Sequence, residues 1–277
     1  MSLIEEAAKR LEELRRSGVE APESAGRDAG AAGPKPGIVM LDLARLAAAG
    51  YVTPDAPRSR IADEFRVLKR PLIANASGKS AAPIRNGNLI MVTSALPGEG
   101  KTFTAVNLAI SMAIELDRTV LLVDADVARP SLPKLLGLPF TKGMLDALQD
   151  KSVDLDQVLL HTNIDKLTVL PGGGQTARAT ELLASNAMSR MLEEMARRYA
   201  DRIIIFDTPP LLATTEARVL ASQMGQIVLV VQAETSRQSE VKQALAAIEA
   251  CPVKLLVLNM VSSTAQGAYG YGYGYGS

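Results

Sequence analysis

Residues 89–102 read Leu-Ile-Met-Val-Thr-Ser-Ala-Leu-Pro-Gly-Glu-Gly-Lys-Thr, an apolar run that feeds a glycine-rich turn ending in lysine and threonine. The run reads as a buried strand, and residues 103–115 that follow have the pattern of a helix. Strand, glycine-rich turn and helix in that order are the context a phosphate-binding loop requires. Within it Pro97, Gly98, Glu99, Gly100, Lys101, Thr102 and Phe103 form the expected nucleotide-binding stretch. Gly98 and Gly100 let the backbone approach a polyphosphate, Lys101 reaches the β and γ phosphates, and the Thr102 hydroxyl is offered to Mg²⁺. The helix adds its positive N-terminal end.

Working outward, the core alternates strands and helices in the manner of a doubly covered parallel sheet. Strands are expected at 89–93, 119–123, 167–170, 203–206, 227–231 and 255–258, with helices at 103–115, 187–199, 216–222 and 239–250. Ligands in such sheets sit at the carboxyl ends of the strands, and two of these strands end in aspartate. Leu121-Leu122-Val123 runs into Asp124 and Asp126, and Ile203-Ile204-Ile205-Phe206 runs into Asp207. Asp207 and Asp124, with Thr102, are the expected Mg²⁺ ligands. Asp124, and after it Asp126, is the expected base, and Lys101 the expected electrostatic catalyst. Asn259 closes the last strand, where it can contact the base of the nucleotide.

The chain has 277 residues, 47% of them hydrophobic, with 30 basic and 30 acidic side chains. That supports a sizeable core and gives no basic excess for nucleic acid. A single cysteine, Cys251, leaves no disulfide within the chain and fits a reducing compartment. No run reaches the roughly 18 apolar residues needed to span a bilayer, so the expectation is a cytoplasmic protein held at the inner membrane through a partner. Residues 1–17 have the spacing of an amphipathic helix opened by Ser2 and Glu5, and 18–37 the composition of a flexible linker. Residues 38–87 are expected to form docking and oligomerisation helices, one over 38–49 and another over 59–74. The catalytic core is placed at 88–262 and a disordered tail at 263–277.

That tail supplies an independent argument. Tyr269, Tyr271, Tyr273 and Tyr275 alternate with glycine, whereas the 268 residues before them contain only Tyr51 and Tyr199. Alternating glycine keeps a chain conformationally free, so each hydroxyl can be presented to an active site in turn.

With SALPGEGKT at 94–102, LLVDADVARP at 121–130 and IIIFDTPP at 203–210, the chain resembles the bacterial tyrosine kinases from about residue 59 to its C-terminus. Residues 53–60 and 65–72 are further similar to the tyrosine autokinases of exosortase-associated exopolysaccharide loci. The resemblance implies a P-loop NTPase-like parallel sheet with helices on both faces, ATP and Mg²⁺ as cofactors, and phosphorylation of the tyrosine cluster in trans. It also implies ring assembly through a Glu-x-x-Arg-x-x-Arg helix, whose matching positions here are Asp63, Arg66 and Lys69, along one helical face. A membrane polysaccharide co-polymerase with a cytoplasmic activating segment is the implied partner. Septum-site and chromosome-partitioning ATPases of the MinD and ParA type share this fold ancestry, but carry a second lysine five residues before the loop lysine. That position is Leu96 here, so the switch-ATPase reading stands second.

Smaller signals remain divided. Arg129 reads equally as a phosphate contact or as an anchor for the turn at Pro130, and Gly172-Gly173-Gly174 as a second anion loop or, better, a connector. His161, with no ligand cluster around it, reads as a surface or packing residue.

Overall fold

The computed structural model describes residues 38–79, 82–115, 117–139, 141–174 and 176–262. The N-terminal helix, the whole linker over 18–37 and all four tail tyrosines lie outside the described residues. Eight strands form one sheet: β1 (Ile38–Val39), β2 (Leu89–Ser94), β3 (Thr119–Asp124), β4 (Leu160–Thr162), β5 (Leu167–Leu170), β6 (Arg202–Asp207), β7 (Gln226–Gln232) and β8 (Val253–Asn259). Their order across the sheet is β1-β4-β5-β3-β6-β2-β7-β8.

The central strands are buried on both faces, which is why they read as continuous apolar runs. Their side chains alternate between two cores: Leu89, Met91, Leu121, Val123, Ile204 and Phe206 point to one, and Ile90, Val92, Val120, Leu122, Ile203 and Ile205 to the other. The first core is covered by α8 (Asn186–Arg198), α9 (Thr215–Ala221) and α10 (Gln238–Ala247), through Met188, Leu192, Leu220 and Ala244. The second is covered by α1 (Leu43–Ala48), α2 (Arg60–Ala76) and α3 (Lys101–Ala113), through Leu46, Phe65, Leu72 and Leu108. Four short helices, α4 (Leu132–Leu136), α5 (Met144–Gln149), α6 (Leu155–Val158) and α7 (Ala179–Leu183), link β3 to β4 and β5 to α8.

Three features depart from the sequence expectation. The 38–49 segment is not one helix: Ile38 and Val39 pair with β4, and Asp42 then caps α1 by accepting from the Arg45 N–H at 2.9 Å. Two β-branched residues favour extension, and an aspartate that satisfies a helix N-terminus fixes where the helix begins. Nor is the sheet uniformly parallel, since β4 runs antiparallel to β5. Only four residues, 163–166, join them, too few for a crossover, and Lys166 adopts φ 64° in the turn. The short helices carry too few turns for a periodic signal.

Lys69 is the third departure. Asp63 and Arg66 lie on the outer face of α2, paired with each other, and Arg66 also donates to the Pro57 carbonyl at 2.9 Å. Lys69 instead turns inward, 5% exposed, donating to the Ser111 carbonyl and pairing with Glu115 at 2.8 Å. It ties α2 to the C-terminal end of α3, where a cation also meets the helix dipole favourably. The three matched charges therefore do not share one solvent face.

Removing this cation, which leaves the half-exposed Glu115 and the Ser111 carbonyl without it, is expected to cost about 1–3 kcal/mol. Lys69→Ala should lower the melting temperature by roughly 2–10 °C, whereas Asp63→Ala and Arg66→Ala should each shift it by less than about 2 °C. Thermal denaturation followed by circular dichroism checks this.

Candidate active site

The loop at 95–100 leaves the end of β2 and enters α3, with Gly98 at φ 89° and Gly100 at φ 93°. Both values belong to the left-handed region that glycine adopts without strain. Gly100 is the helix N-cap and offers no side chain to the first turn, so the free N–H groups there face whatever enters the loop. Lys101, 8% exposed, starts the helix.

Parallel pairing places the acidic residues. Asp207 is in register with Val92 on one side and with Asp124 on the other, so the two aspartates end adjacent strands at the same level as the loop. Thr102 donates its hydroxyl to Asp207 Oδ2 at 2.7 Å, and Ser131 Oγ lies 3.0 Å from Thr102 Oγ1. Because the single Thr102 hydrogen points to Asp207, Ser131 is the donor in the second bond.

Both Asp124 and Asp207 are fully buried. Among the described residues both Asp124 carboxyl oxygens and Asp207 Oδ1 lack a hydrogen-bond partner. Burial first, and then the neighbouring Asp207, pushes the Asp124 carboxyl up to about 8. Burial likewise raises Asp207 to about 7, against the lowering effect of the Thr102 hydrogen bond and of Lys101. Orphaned carboxylate oxygens side by side are costly unless protonated or bound to a cation. Two carboxylates beside a hydroxyl are the hard oxygen donors that suit Mg²⁺, which draws the rest of its shell from phosphate and water. The residues present therefore fit the cation.

Asp126 differs. It is only partly buried; burial raises its carboxyl, while Lys101 and the Arg129 N–H and guanidinium pull it down. Arg129 is exposed and closes the Asp126 turn through its backbone at 3.0 Å, which makes it an anchor of that turn.

Other expected residues are brought close but turned differently. The Asn259 amide donates to the Glu99 carbonyl at 3.0 Å, so it holds the loop, with its second N–H and its carbonyl oxygen left over for other contacts. The Phe103 ring packs at 4.9 Å from Tyr51 and 6.5 Å from Phe65, inside the second core. Glu99, 3% exposed, directs its carboxylate into the protein and away from the loop mouth. In the triple-glycine segment the N–H of Gly174, together with that of Gly143, already donates to Asp146, so an internal carboxylate fills the anion role. Gly172 is small for a different reason, since a Cβ there would stand 3.2 Å from the Asp124 carbonyl. His161 is exposed on β4, as a surface residue should be.

A model of the AAA domain family matches residues 87–255. The tyrosine-protein kinase YwqD of Bacillus subtilis is 32% identical over 216 residues, covering 77% of this chain and 87% of that one. The chain belongs to the bacterial tyrosine-protein kinases. Tyrosine-protein kinase ptk of Acinetobacter johnsonii is 34% identical over 182 residues, 65% of this chain, but these make up only 24% of that longer kinase. The solved kinase domain of the Escherichia coli tyrosine kinase ETK superposes with a TM-score of 0.66 at 30% identity, covering 81% of this chain and 86% of that domain. The fold of this tyrosine-kinase family member is thus the P-loop NTPase-like sheet its motifs imply, with the loop, Lys101, Asp124 and Asp207 at one end of it.

The titration of the paired aspartates has a direction. In the unfolded chain an aspartate ionises near 3.9, whereas the native Asp124 holds its proton to about 8 and Asp207 to about 7. Between those values the folded state binds more protons than the unfolded one, so their contribution to stability is complete below about pH 4 and is lost as pH rises through 7 and 8. In chelator, the melting temperature should fall between pH 6 and pH 8.5. Asp124→Asn should flatten that fall and be more stable than wild type at pH 8.5.

Proposed function

We propose that the protein is an ATP-dependent tyrosine autokinase that phosphorylates Tyr269, Tyr271, Tyr273 and Tyr275, in trans within a ring-type homo-oligomer. The observation that supports it most directly is the pair of buried carboxylates, Asp124 and Asp207, in register beside Thr102 and Lys101, with both Asp124 oxygens and Asp207 Oδ1 unmet among the described residues. Thr102, Asp124 and Asp207 would hold Mg²⁺, which when bound would supply neutralising charge for the phosphates. Lys101 and the N–H groups of residues 98–102 hold the same oxygens, so catalysis rests on positioning and electrostatics.

The acceptor chemistry needs a base, since a phenol ionises only near 10. The tyrosine oxygen attacks the γ phosphorus, the bond to the β–γ bridging oxygen breaks, and the phenolic proton passes to a carboxylate. The sequence puts Asp124 first for that group, but its side chain is wholly buried against Asp207 and already suits the cation. Asp126 is partly exposed, where an acceptor can reach it, and burial raises its carboxyl above the ordinary value against the pull of Lys101 and Arg129. We therefore assign the base to Asp126 and the metal to Asp124.

Assembly rests on Asp63 and Arg66, both exposed on α2 next to Val67, which is 74% exposed. Lys69 supports that helix from within. Each phosphate on the tail would add about −1.5 to −2 charges, so unphosphorylated protein assembles and phosphorylated protein separates. Among the described residues no helix is long and apolar enough to cross a membrane. A membrane polysaccharide co-polymerase with a cytoplasmic activating segment is the partner that the family resemblance supports, and control of exopolysaccharide synthesis or export the role.

Incubation with Mg·ATP followed by peptide mass measurement should show successive phosphate additions on residues 268–277. Release of free phosphate without them would favour the switch-ATPase reading. Lys101→Met and Asp124→Asn should abolish the phosphotyrosine signal while retaining a cooperative melt; normal labelling of either overturns the assignment. Light scattering should give a larger mass before phosphorylation than after.

A further inference from the structure

The phosphate loop is pinned to the neighbouring strand ends by a side chain that does not face the ligand. Glu99 sits between the two left-handed glycines of the loop, yet its carboxylate is buried, 3% exposed. One oxygen accepts from the Leu96 N–H at 2.8 Å, closing the loop on itself. The other accepts from the Ser236 hydroxyl, in the segment that follows β7. Ser236 Oγ in turn accepts from the Gln232 N–H at 3.0 Å, so its hydrogen is committed to Glu99. Asn259 at the end of β8 completes the attachment from the backbone side: its amide donates to the Glu99 carbonyl at 3.0 Å and lies where a Cβ on Gly100 would stand, 2.0 Å away. The β7 and β8 ends are themselves joined, since the Ala233 N–H donates to the Asn259 carbonyl at 2.9 Å.

On its other side the loop is held by backbone bonds, from the Leu211 and Leu212 N–H groups to the carbonyls of Ser94 and Ala95 at 2.9 and 3.2 Å, and at the start of α3 by the Thr102 hydroxyl on Asp207. The Glu99–Ser236 bond is thus the side-chain bridge between the loop and the end of β7. A loop that must present several N–H groups to one polyphosphate gains affinity when it is already ordered before the ligand arrives. A negative group within such a loop would repel phosphate unless turned away, and its buried bonds to Leu96 and Ser236 keep it turned away.

We propose that Glu99 and Ser236 are positioning residues that pre-order the phosphate loop for nucleotide, acting through the Leu96 N–H and the loop backbone and without touching the ligand. This rests on the nucleotide-binding reading of the site above. The test is titration of the full chain with a fluorescent Mg·ADP analogue, together with melts in the absence of nucleotide. Ser236→Ala should weaken binding about tenfold, the effect of losing one hydrogen bond to a charged group, whereas Ser236→Thr, which keeps the hydroxyl, should stay within about twofold of wild type. Glu99→Gln combined with Ser236→Ala should be less than additive, because both break the same bond. Leu72→Ala, a core truncation far along α2, should lower the melting temperature more than Ser236→Ala yet bind the analogue as wild type does. Wild-type binding by Ser236→Ala overturns the proposal, as does equal weakening by Ser236→Thr or by the Leu72→Ala control. Failure of the wild-type chain to bind the analogue would instead overturn the nucleotide-binding reading itself, and this proposal with it.

Discussion

Two carboxylates forced side by side in a dry interior are the constraint on which the site depends. Asp124 and Asp207 end adjacent parallel strands in register, and neither finds enough donors among its neighbours. A fold tolerates this only if something else meets those oxygens, because an isolated buried charge costs far more than a missing hydrogen bond. One answer is to keep protons there, as the raised carboxyls show. A divalent cation with attached phosphates is the other. The same strain that makes two bare carboxylates unfavourable would favour a cation bound between them.

The surrounding structure serves to hold that pair against the loop. Four central strands buried on both faces fix the level at which their carboxyl ends terminate. Thr102 links the loop helix to Asp207, and Ser131 links the turn after β3 to Thr102. Lys69 anchors α2 to α3 from inside, so the helix that exposes Asp63 and Arg66 is braced against the helix that begins at Lys101.

Much of this was legible in the chain itself, for reasons that differ from element to element. The buried runs at β2, β3, β6 and β7 and the long helices around them have strong periodic or continuous apolar patterns, and their observed bounds lie within about two or three residues of those read from sequence. β1, β4 and the four short helices were missed because a few residues hold no period. Among site residues, Lys101, Thr102, Asp124 and Asp207 were found because a motif names them by spacing. The orientations of Glu99, Asn259 and Lys69 were not legible, because spacing gives a position and says nothing of which way a side chain turns. Ser131 and Ser236 were not singled out; serines near turns are common, and nothing local distinguishes one that meets a site 29 or 137 residues away.

The sequence by itself determined the fold class, the phosphate loop, the family and the chemistry available at the strand ends, since each is written in contiguous residues whose pattern reflects local geometry and burial. Tertiary structure alone decided which of those residues meet. Strand order set Asp124 against Asp207 in the dry interior and left Asp126 partly exposed. Packing turned Lys69 inward and drew Glu99 away from the ligand towards Ser236. These are contacts between distant parts of the chain, where a side chain's direction follows from the space and the partners that the assembled sheet leaves to it.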